Sequence, residues 1–344
     1  MSQPIYYNAV NRFYQGNYGK VEAVWNRFHN WKLAWESVRT ETRINPEAEW
    51  GKLLKRSVRL VLREDENYPP LLRETARQPF GLYLLGKPDW SRPMVAIVGT
   101  RRATGEGLKI ANAFANDLAA QGIVIASGLA LGIDGAAHAG AIASGAHSAT
   151  VAVLPCGLDD LYPKTHMNLA NEIIRTGGSL ISEYPFGTPS FPTNFLERNR
   201  IVAGVSRGTV VIEAPIKSGA LVTAKLAVEA NRDVFAVPGP INHPNYVGPH
   251  KLIQEGAGLV TNACDVCDAL GILYQKSGHA GSTEDTRRTS EELAIITALR
   301  KAGKPLTIDA IAELSMLSIQ DISHAIAMLS VNGTLNETNG LYSL

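Results

Sequence analysis

The sequence predicts an α/β protein built around a doubly wound parallel sheet. Three observations support this fold class: a buried strand runs into a glycine turn at residues 95–99, strand and helix patterns then alternate regularly to about residue 239, and the apolar content of 45% is enough for a large core. Residues 95–98 are small or β-branched and uncharged, as in a strand covered on both faces. After Gly99 the apolar residues follow helical spacing, so one helical face packs back onto the sheet.

The strand and helix patterns continue after this first unit. Further strands are predicted from short apolar runs at residues 123–128, 149–155, 179–185, 209–214 and 233–239. Helical patterns separate them at residues 135–143, 166–175, 195–204 and 221–230. Such repetition predicts parallel strands joined by right-handed crossovers.

The N-terminal segment, residues 1–56, is helical and aromatic. A stripe of apolar side chains at helical spacing consists of Val24, Phe28, Trp31 and Trp35. Such a stripe favours a core face over a base-stacking surface, and Asn30 divides it into two short helices. Pro46 predicts the start of another helix. We assign residues 1–56 to a small helical domain, and residues 57–274, from a short strand at Val58 onward, to the sheet domain.

The C-terminal part of the chain differs from the sheet region in composition and apolar spacing. Residues 275–289 are small and polar without apolar periodicity, which predicts a linker. Residues 290–344 contain three short helical patterns and then Asn339-Gly340, typical of a hairpin turn, so they describe a winged helix. Its third helix would normally read a DNA major groove, but residues 318–332 contain one Asp and no Lys or Arg. Contact with another protein is therefore favoured.

The overall charge does not indicate a nucleic-acid-binding protein. The chain has a net charge of +1. Residues 1–90 carry 14 Lys and Arg against 10 Asp and Glu, residues 91–284 carry 14 against 15, and residues 285–344 carry 5 against 7. A site for a polyanion must therefore be a local cluster of cations rather than a property of the whole surface.

Cysteine use and hydropathy indicate the compartment. The chain has three cysteines, no apolar run near twenty residues and no signal-peptide pattern, so we expect a cytoplasmic protein. Cys264 and Cys267 form a CxxC pair, but one other cysteine is present, and Asn262 can cap a helix that carries both. We therefore expect no metal site and no cofactor.

The carboxyl ends of the predicted strands share a chemistry that suits phosphate. The residues there are Gly99, Thr100 and Arg101 after the first strand, Ser127 and Gly128 after the second, and Lys217, Ser218 and Gly219 before a later helix. Small residues bring backbone N–H groups to one rim, and arginine adds charge. The GxGxxG dinucleotide fingerprint is absent. The pattern predicts an anion-binding groove, with ordinary solvated loops as the alternative.

Two more segments place charge near this rim. Lys164 follows the third of the regular strands, in a Tyr-Pro-Lys sequence, and the RNR sequence at residues 198–200 lies near a helix start. These arginines can equally pair with carboxylates such as Glu197 or Glu213. The pattern alone does not decide between the two.

These motifs together resemble the DNA-processing protein A family, also called DprA or Smf. Between residues 58 and 270 they read, in order, VAIVGTRRAT, SGLALGIDGAAH, LPCGLDDLYPKTH, ISEYP, FLERNRIVAG, EAPIKSGALVTAKLAVEANRDVFAVPG and GPHKLIQEGAGLV. The resemblance implies an extended Rossmann domain that binds single-stranded DNA, protects it and loads the RecA recombinase. It also implies a homodimer, a role in natural transformation or related repair, and no established catalysis.

The resemblance also implies a set of DNA contacts by position. Arg101 would be the main phosphate contact and Lys164 a second. Backbone or hydroxyl donors would come from Gly99, Thr100, Ser127, Gly128, Ser218 and Gly219. Asn199 and Arg200 would support the rim. Leu131 stands where many family members have arginine, which leaves the contribution of that position open.

Self-association would fall, by the same resemblance, on the predicted helix at residues 248–256. Leu252 and Ile253 lie on this helix, and Leu259 and Val260 follow it. Burial of these side chains against the sheet is the alternative, and the sequence favours neither.

A second class of function is a nucleotide-processing enzyme on a related scaffold, such as the phosphoribohydrolases that activate cytokinins. Those enzymes carry PGGxGTxxE, whereas the corresponding region here reads EAPIKSGALVTA, with no glutamate at that spacing. His138 and His166 have no Ser or Cys partner at an informative spacing. The sequence therefore favours a binding protein, and we assign no catalytic residue.

Overall fold

The chain divides into two compact units, Met1–Gln275 and Lys276–Leu344. The computed structural model describes residues 3–273, 289–315, 317–331, 335–338 and 340–343. The linker predicted at residues 275–289 lies, apart from Thr289, outside the described residues. Each unit has hydrophobic core clusters of its own.

The described strands of the first unit form one sheet. In chain order they are β1 Arg59–Leu62, β2 Gly81–Leu85, β3 Met94–Val98, β4 Val124–Ser127, β5 Thr150–Leu154, β6 Ser179–Ser182, β7 Gly208–Val211, β8 Asp233–Ala236 and β9 Gly258–Leu259. Across the sheet the order is β1-β2-β6-β5-β4-β3-β7-β8-β9. Strands β3 to β9 pair in parallel, and β2 joins β1 and β6 antiparallel. The direction of winding therefore reverses beside β3, which is the switch point where open α/β sheets bind ligands.

Helices surround this sheet. In chain order they are α1 Gln3–Phe13, α2 Tyr18–Phe28, α3 Trp31–Val38, α4 Pro46–Lys55, α5 Pro70–Arg73, α6 Gly105–Ala120, α7 Ile133–Ala143, α8 Met167–Arg175, α9 Pro192–Gly204, α10 Gly219–Glu229, α11 Val247–Gln254 and α12 Ala263–Ala269. None of the helices among the described residues combines the length and the apolar character needed to cross a membrane.

Alternate residues of β3 pack on opposite sides of the sheet. Val95 and Ile97 share a core cluster with side chains of α6, α7 and α12. Met94, Ala96 and Val98 share another with side chains of α9 and α10. All five residues of the strand are buried. This two-sided covering confirms the predicted doubly wound sheet and explains why the strand carries no polar side chain.

The N-terminal helices belong to the same compact unit as the sheet. Trp31 and Trp35 are buried, as the apolar stripe predicts. Trp31 packs edge-on against Phe80 beside β2, with 5.6 Å between the ring centroids. The stripe's first helix, α2, ends at Phe28, and Asn30 caps α3 by accepting hydrogen bonds from the backbone amides of Lys32 and Leu33. A continuous core therefore joins α1–α4 to this edge of the sheet.

The second unit contains three described helices and a hairpin. These are α13 Ser290–Ala302, α14 Ile308–Ser315, α15 Ile319–Val331, β10 Asn336–Thr338 and β11 Leu341–Ser343, with the two strands antiparallel. Leu306, before α14, pairs with Tyr342 of β11, so the hairpin is tied to the helices. Ile311 and Ile322 are fully buried between them. This is the winged-helix arrangement predicted from the sequence.

Candidate functional site

A cleft of about 720 Å³ opens at the carboxyl ends of β3, β4 and β7, beside the switch point. It is lined by most of the residues predicted for an anion site, namely Gly99, Thr100, Arg101, Gly128, Asn199, Ser218 and Gly219. Ser127, Lys164 and Arg200 do not line it. The fold therefore brings loops that are far apart in the chain to one concave surface.

Arg101 is exposed in the wall of this cleft. Its guanidinium lies over the ring of Phe195, with 4.7 Å between the guanidinium carbon and the ring centroid. Within the described residues, no carboxylate lies within 4.0 Å of the Arg101 guanidinium. A cation–π contact orients a guanidinium without neutralising it. Arg101 is therefore positioned by the protein with its charge available to a ligand.

Arg198 forms part of the floor of the cleft, and it was not among the site residues predicted from the sequence. The side chain is 3% exposed and donates hydrogen bonds to the backbone carbonyls of Gly128, at 2.5 Å, and Val153. Burial lowers the pKa of Arg198, with the carboxylate of Asp134 opposing that effect. An arginine stays charged in proteins, so the floor of the cleft carries a buried positive charge. In the sequence, the feature that pointed to this role of Arg198 was its position in the RNR motif at residues 198–200.

Gly128 makes room for this buried arginine. A Cβ atom at Gly128 would lie 2.4 Å from both terminal nitrogens of Arg198. The amide of Gly128 donates to the carboxylate of Asp134 at 3.1 Å, as does the amide of Ala130 at 3.4 Å. Burial raises the pKa of Asp134, and Arg198 opposes the rise. The Gly128 amide therefore bonds within the protein, whereas the sequence predicted it as a donor to a ligand.

Glu213 occupies the N-terminus of α6, the helix after the first glycine turn. Its carboxylate, fully buried just beyond β7, accepts hydrogen bonds from the amide and hydroxyl of Thr104, the N-cap residue of α6. The side-chain amide of Asn245 donates to it at 2.9 Å. A Cβ at Gly107 would lie 2.5 Å from the carboxyl carbon of Glu213. A helix N-terminus attracts anions. At the start of α6 that anion is the carboxylate of Glu213, which belongs to the protein itself.

The sequence left open whether Glu213 pairs with arginine, and in the structure its carboxylate bonds instead to Thr104 and Asn245. Groups of the preceding glycine turn are also bonded within the protein. Thr100, in the turn before α6, has its amide bonded to the backbone carbonyl of Glu213 at 2.7 Å. Its hydroxyl oxygen accepts a hydrogen bond from the amide of Arg102 at 3.2 Å. Gly99 serves close packing, because a Cβ there would lie 2.4 Å from Ile133.

The N-terminus of α10 opens into the cleft without an internal acid of its own. Ser218 is its N-cap residue, and the first turn of α10 contains no Asp or Glu. Lys217 and Gly219 line the cleft on either side of Ser218. The side chain of Asn199 donates to the carbonyl of Gly219 at 3.3 Å and braces this turn. The Ser218 hydroxyl accepts from the Ala220 amide at 3.1 Å, so Lys217 and the positive end of the α10 dipole, more than free amides, make this part of the cleft attractive to an anion.

Three predicted residues lie outside the cleft lining. The hydroxyl of Ser127 is buried and donates to the carbonyl of Ile97 at 2.7 Å, so it joins β4 to β3. Lys164 forms an exposed ion pair with Asp160, with 64% of the lysine side chain exposed. Tyr162, two residues earlier, does line the cleft, which places Lys164 near one end of it.

Arg200 is the third of these residues. It is 8% exposed and forms an ion pair with the buried carboxylate of Glu183. Its Nε lies 3.7 Å from the carboxylate of Glu197, and its guanidinium lies over the ring of Tyr18, with 5.0 Å between guanidinium carbon and ring centroid. Of the two carboxylates considered from the sequence, Arg200 therefore meets Glu197 and not Glu213. Its contacts join α9 to the N-terminal helices instead of supporting the rim.

The remaining sequence features lie away from the cleft lining. Leu131, whose contribution the family resemblance left open, is 44% exposed and does not line the cleft. His138 is fully buried, its Nδ1 lies 2.7 Å from the hydroxyl of Thr150, and burial lowers its pKa to about 3. Cys267 is buried, and among the described residues no group of three or more His, Cys, Asp or Glu is placed to hold a metal ion.

A second groove, of about 1020 Å³, lies between α10 and α11 next to the edge strand β9. Several apolar side chains line it while remaining exposed, including Val222 at 38% and Val228 at 65%. Among the residues predicted for self-association, Leu252 lines this groove, Leu259 is 53% exposed, and Val260 is buried in the core. Burial against the sheet therefore holds for Val260, and self-association through the exposed residues stays a prediction.

Comparisons with known proteins agree on one family. The family model described as DNA recombination-mediator protein A matches residues 59–271. Protein Smf of Escherichia coli strain K12 is 35% identical over 287 residues, which cover 82% of this chain and 76% of that protein.

Two solved structures are also similar. DNA processing protein A from Streptococcus pneumoniae superposes with a TM-score of 0.60 at 36% identity, covering 69% of this chain and 80% of that one. The protein of the same name from Helicobacter pylori gives a TM-score of 0.55 at 30% identity, covering 62% and 95%. That second structure describes a single-stranded DNA binding mode of the Helicobacter pylori protein.

Proposed function

Because this chain belongs to the DNA recombination-mediator protein A family, we propose that its cleft binds single-stranded DNA. The observation that carries this proposal is Arg101, an exposed guanidinium with no carboxylate partner among the described residues, which lines the same switch-point cleft as the N-terminus of α10. A relative from Helicobacter pylori has a described single-stranded DNA binding mode, which supports the same ligand class.

The local charge of the cleft supports a polyanionic ligand. The charged residues that line it are Arg101, Arg102, Arg198, Lys217 and Asp134, four basic and one acidic. The carboxylate of Asp134 is held by two backbone amides. The net charge of the whole chain is +1, so these four basic residues form a local cluster on a nearly neutral protein. The charge distribution along the sequence predicted that any site for a polyanion would be a local cluster of this kind.

The residues of the cleft divide into three roles under this proposal. Arg101 binds phosphate from one wall, and the α10 start, with Lys217, Ser218 and Gly219, binds it from the other. Gly99 and Gly128 allow close packing beneath the strand, and Asn199 braces the α10 turn. Lys164 lies outside the lining and is paired with Asp160, so it would reach a phosphate only by exchanging that ion pair. Ser127 and Arg200 stabilise the fold that holds these groups.

We further propose the biological roles that family membership supports. The protein works as a homodimer through the groove between α10 and α11, protects incoming single-stranded DNA, and loads the RecA recombinase during natural transformation, in the cytoplasm. The winged-helix unit then contacts protein, because residues 318–332 contain no Lys or Arg for phosphate.

Binding without catalysis is part of the same proposal. No His, Cys or Glu is among the described residues that line the cleft, and the Asp134 carboxylate is already hydrogen-bonded. General base catalysis needs a titratable group within reach of the substrate. Incubation with nucleoside monophosphates should therefore release no free base. Release of base at a rate that depends on Arg101 would favour a phosphoribohydrolase-like enzyme instead.

The direct test compares a labelled oligothymidylate with a duplex of equal length by fluorescence anisotropy. The single strand should bind more tightly, and its affinity should fall as salt rises because counterions are released from the phosphates, with a log–log slope of about −0.7 for each phosphate neutralised. Equal affinity for both forms, or no binding to either, would refute the proposal.

A further inference from the structure

The edge strand β1 borders an open groove of about 460 Å³. The groove is lined by Trp50 and Leu54 of α4, by residues 58–61, and by residues 65–67 of the loop after β1. It shares no lining residue with the cleft that contains Arg101. β1 is five strands away from β3 in the sheet order, which corresponds to about 24 Å at about 4.8 Å per strand. The groove is therefore a surface separate from the cleft.

The hydrogen bonds of β1 show which of its peptide groups face away from the sheet. The amide of Arg63 donates to the carbonyl of Phe80 at 3.0 Å, and these two residues continue the register of β1 with β2. Hydrogen-bonded pairs alternate along an antiparallel ladder, so Leu60 and Leu62 direct their N–H and C=O groups away from β2. Asp65 closes the Leu62 position, since its carboxylate accepts from the Leu62 amide at 2.8 Å and its amide donates to the Leu62 carbonyl at 3.0 Å. Among the described residues, none pairs with the outward groups of Leu60.

Apolar surface adjoins this open peptide group on one face of the sheet. Trp50 is partly exposed and packs against the core cluster that contains Leu60, so it lies on the same face as that side chain. Leu54, one turn later in α4, is 62% exposed. A strand added beside β1 would direct every second side chain toward this apolar surface.

Negative charge adjoins the other face. Asp65 and Glu66 lead into Tyr68, which packs in the core cluster that contains Val61, on the side of the sheet opposite Leu60. In the part of the chain that the structure describes, no lysine, arginine or histidine lies within 4.0 Å of either carboxylate. The remaining side chains of an added strand would therefore meet two acids without cationic partners.

We infer that this edge of the sheet binds an extended peptide of a partner protein, which adds a strand antiparallel to β1 and alternates apolar with basic residues. The peptide residue opposite Leu60 exchanges two backbone hydrogen bonds with it and directs its own side chain to the same face, toward Trp50. That residue is apolar, and its two neighbours are basic and face Asp65 and Glu66. In this mode of recognition the backbone bonds give affinity and the alternating side chains give specificity. The surface goes beyond the proposed DNA binding and does not depend on it.

The probe is a labelled heptapeptide of alternating lysine and valine, and its binding is followed by fluorescence anisotropy. N-methylation of the valine amides removes the donors that face Leu60, so it should weaken binding about fivefold or more. N-methylation of the lysine amides is the matched control, because those amides point away from β1, and it should leave the affinity unchanged. No binding of the parent peptide, or equal losses from the two methylated peptides, would overturn the inference.

Variants of the protein test the same contact from the other side. Glu66→Lys should weaken binding of the parent peptide about threefold or more at low salt, as expected when an exposed ion pair is lost. Glu36→Lys makes the same change at an exposed position of α3 outside the groove lining, and it should bind the peptide like the wild type. Hydrogen exchange of the Leu60 amide should slow when the peptide binds, and an unchanged exchange rate would contradict strand addition.

Light scattering distinguishes the alternative occupant, a second copy of this chain. Wild type and Glu66→Lys should have the same mass in solution, because the groove receives a peptide from another protein. A mass that changes with Glu66→Lys would show that the edge pairs with a second copy and would overturn the inference.

Discussion

The carboxylate of Glu213 accepts a hydrogen bond from the backbone amide of Thr104 at 2.9 Å, where α6 begins. These residues are 109 positions apart in the chain. The contact gives one of the two helix starts near the switch point an internal anion, while α10 has no acid in its first turn. We therefore expect an external anion to bind near α10 and Arg101 and not at the start of α6.

Glu213→Gln should destabilise the fold by about 1–3 kcal/mol. Each carboxylate oxygen accepts from a donor of Thr104, so whichever oxygen became an NH2 group would face one of those donors inside the protein. Urea unfolding followed by circular dichroism measures this change. Glu106→Gln is the control, since Glu106 is an exposed acid in the first turn of the same helix. It should leave the unfolding midpoint nearly unchanged. Equal midpoints for the Glu213 variant and the wild type would show that the internal anion is not needed.

Gly128→Ala should destabilise the protein and weaken DNA binding together. The new Cβ would lie 2.4 Å from guanidinium nitrogens of the buried Arg198, and moving the guanidinium away would break its hydrogen bonds to the carbonyls of Gly128 and Val153. Gly105→Ala is the matched control, because a Cβ there meets no atom within 4 Å. Thermal unfolding and oligonucleotide binding of both variants check this. If Gly128→Ala behaves like Gly105→Ala, Arg198 is not fixed under the cleft as described.

Val228→Glu should convert a dimer to a monomer, since it places a charge in the exposed apolar groove between α10 and α11. Light scattering coupled to size-exclusion chromatography measures the mass of the particle in solution. Leu33→Glu, at a 49% exposed position on the N-terminal helices, is the control and should keep the dimer mass. A dimer that survives Val228→Glu places the interface elsewhere.

Acidification should destabilise the protein through His138. Burial lowers its pKa to about 3 from an ordinary value of 6.5, so below pH 6.5 the unfolded chain binds a proton that the native state excludes. This contribution is complete above pH 6.5 and is lost toward pH 3, at up to about 1.4 kcal/mol per pH unit. The free energy of unfolding of His138→Gln should therefore fall less steeply between pH 7.5 and pH 5.

The control for this pH dependence is Ala141→Gly, which weakens the same helix and keeps the histidine. It should be less stable than the wild type at every pH but retain the wild-type slope. Parallel slopes for wild type and His138→Gln would mean that the histidine does not contribute to the acid sensitivity.

The sequence predicted what local patterns determine. Apolar spacing around Gly99 predicted β3 and α6, and Asn30 correctly marked the break before α3, because periodicity and caps are properties of neighbouring residues. The sheet order beyond the regular units was not predictable in this way. Pairing of β2 with β6 joins Leu85 to Leu180, and no short-range pattern encodes that contact.

The site was predictable in its position and less so in its contacts. The strand ends located the cleft, because parallel strands deliver their carboxyl ends to one edge of the sheet. The partners of individual polar groups depend on residues far along the chain. Ser127 bonds to a carbonyl 30 positions away, and Arg200 pairs with a carboxylate 17 positions away. A motif shows which residues occur together, but only the fold shows which of them face the solvent.

The central claim is that Arg101 holds the phosphates of single-stranded DNA, and its charge reversal tests this most directly. At matched salt, Arg101→Glu should weaken the binding of oligothymidylate several-fold or more, while its thermal unfolding stays close to that of the wild type. Lys109→Glu makes the same charge change on an exposed position of α6 outside the cleft lining, and it should bind like the wild type. Wild-type affinity in Arg101→Glu would contradict the account.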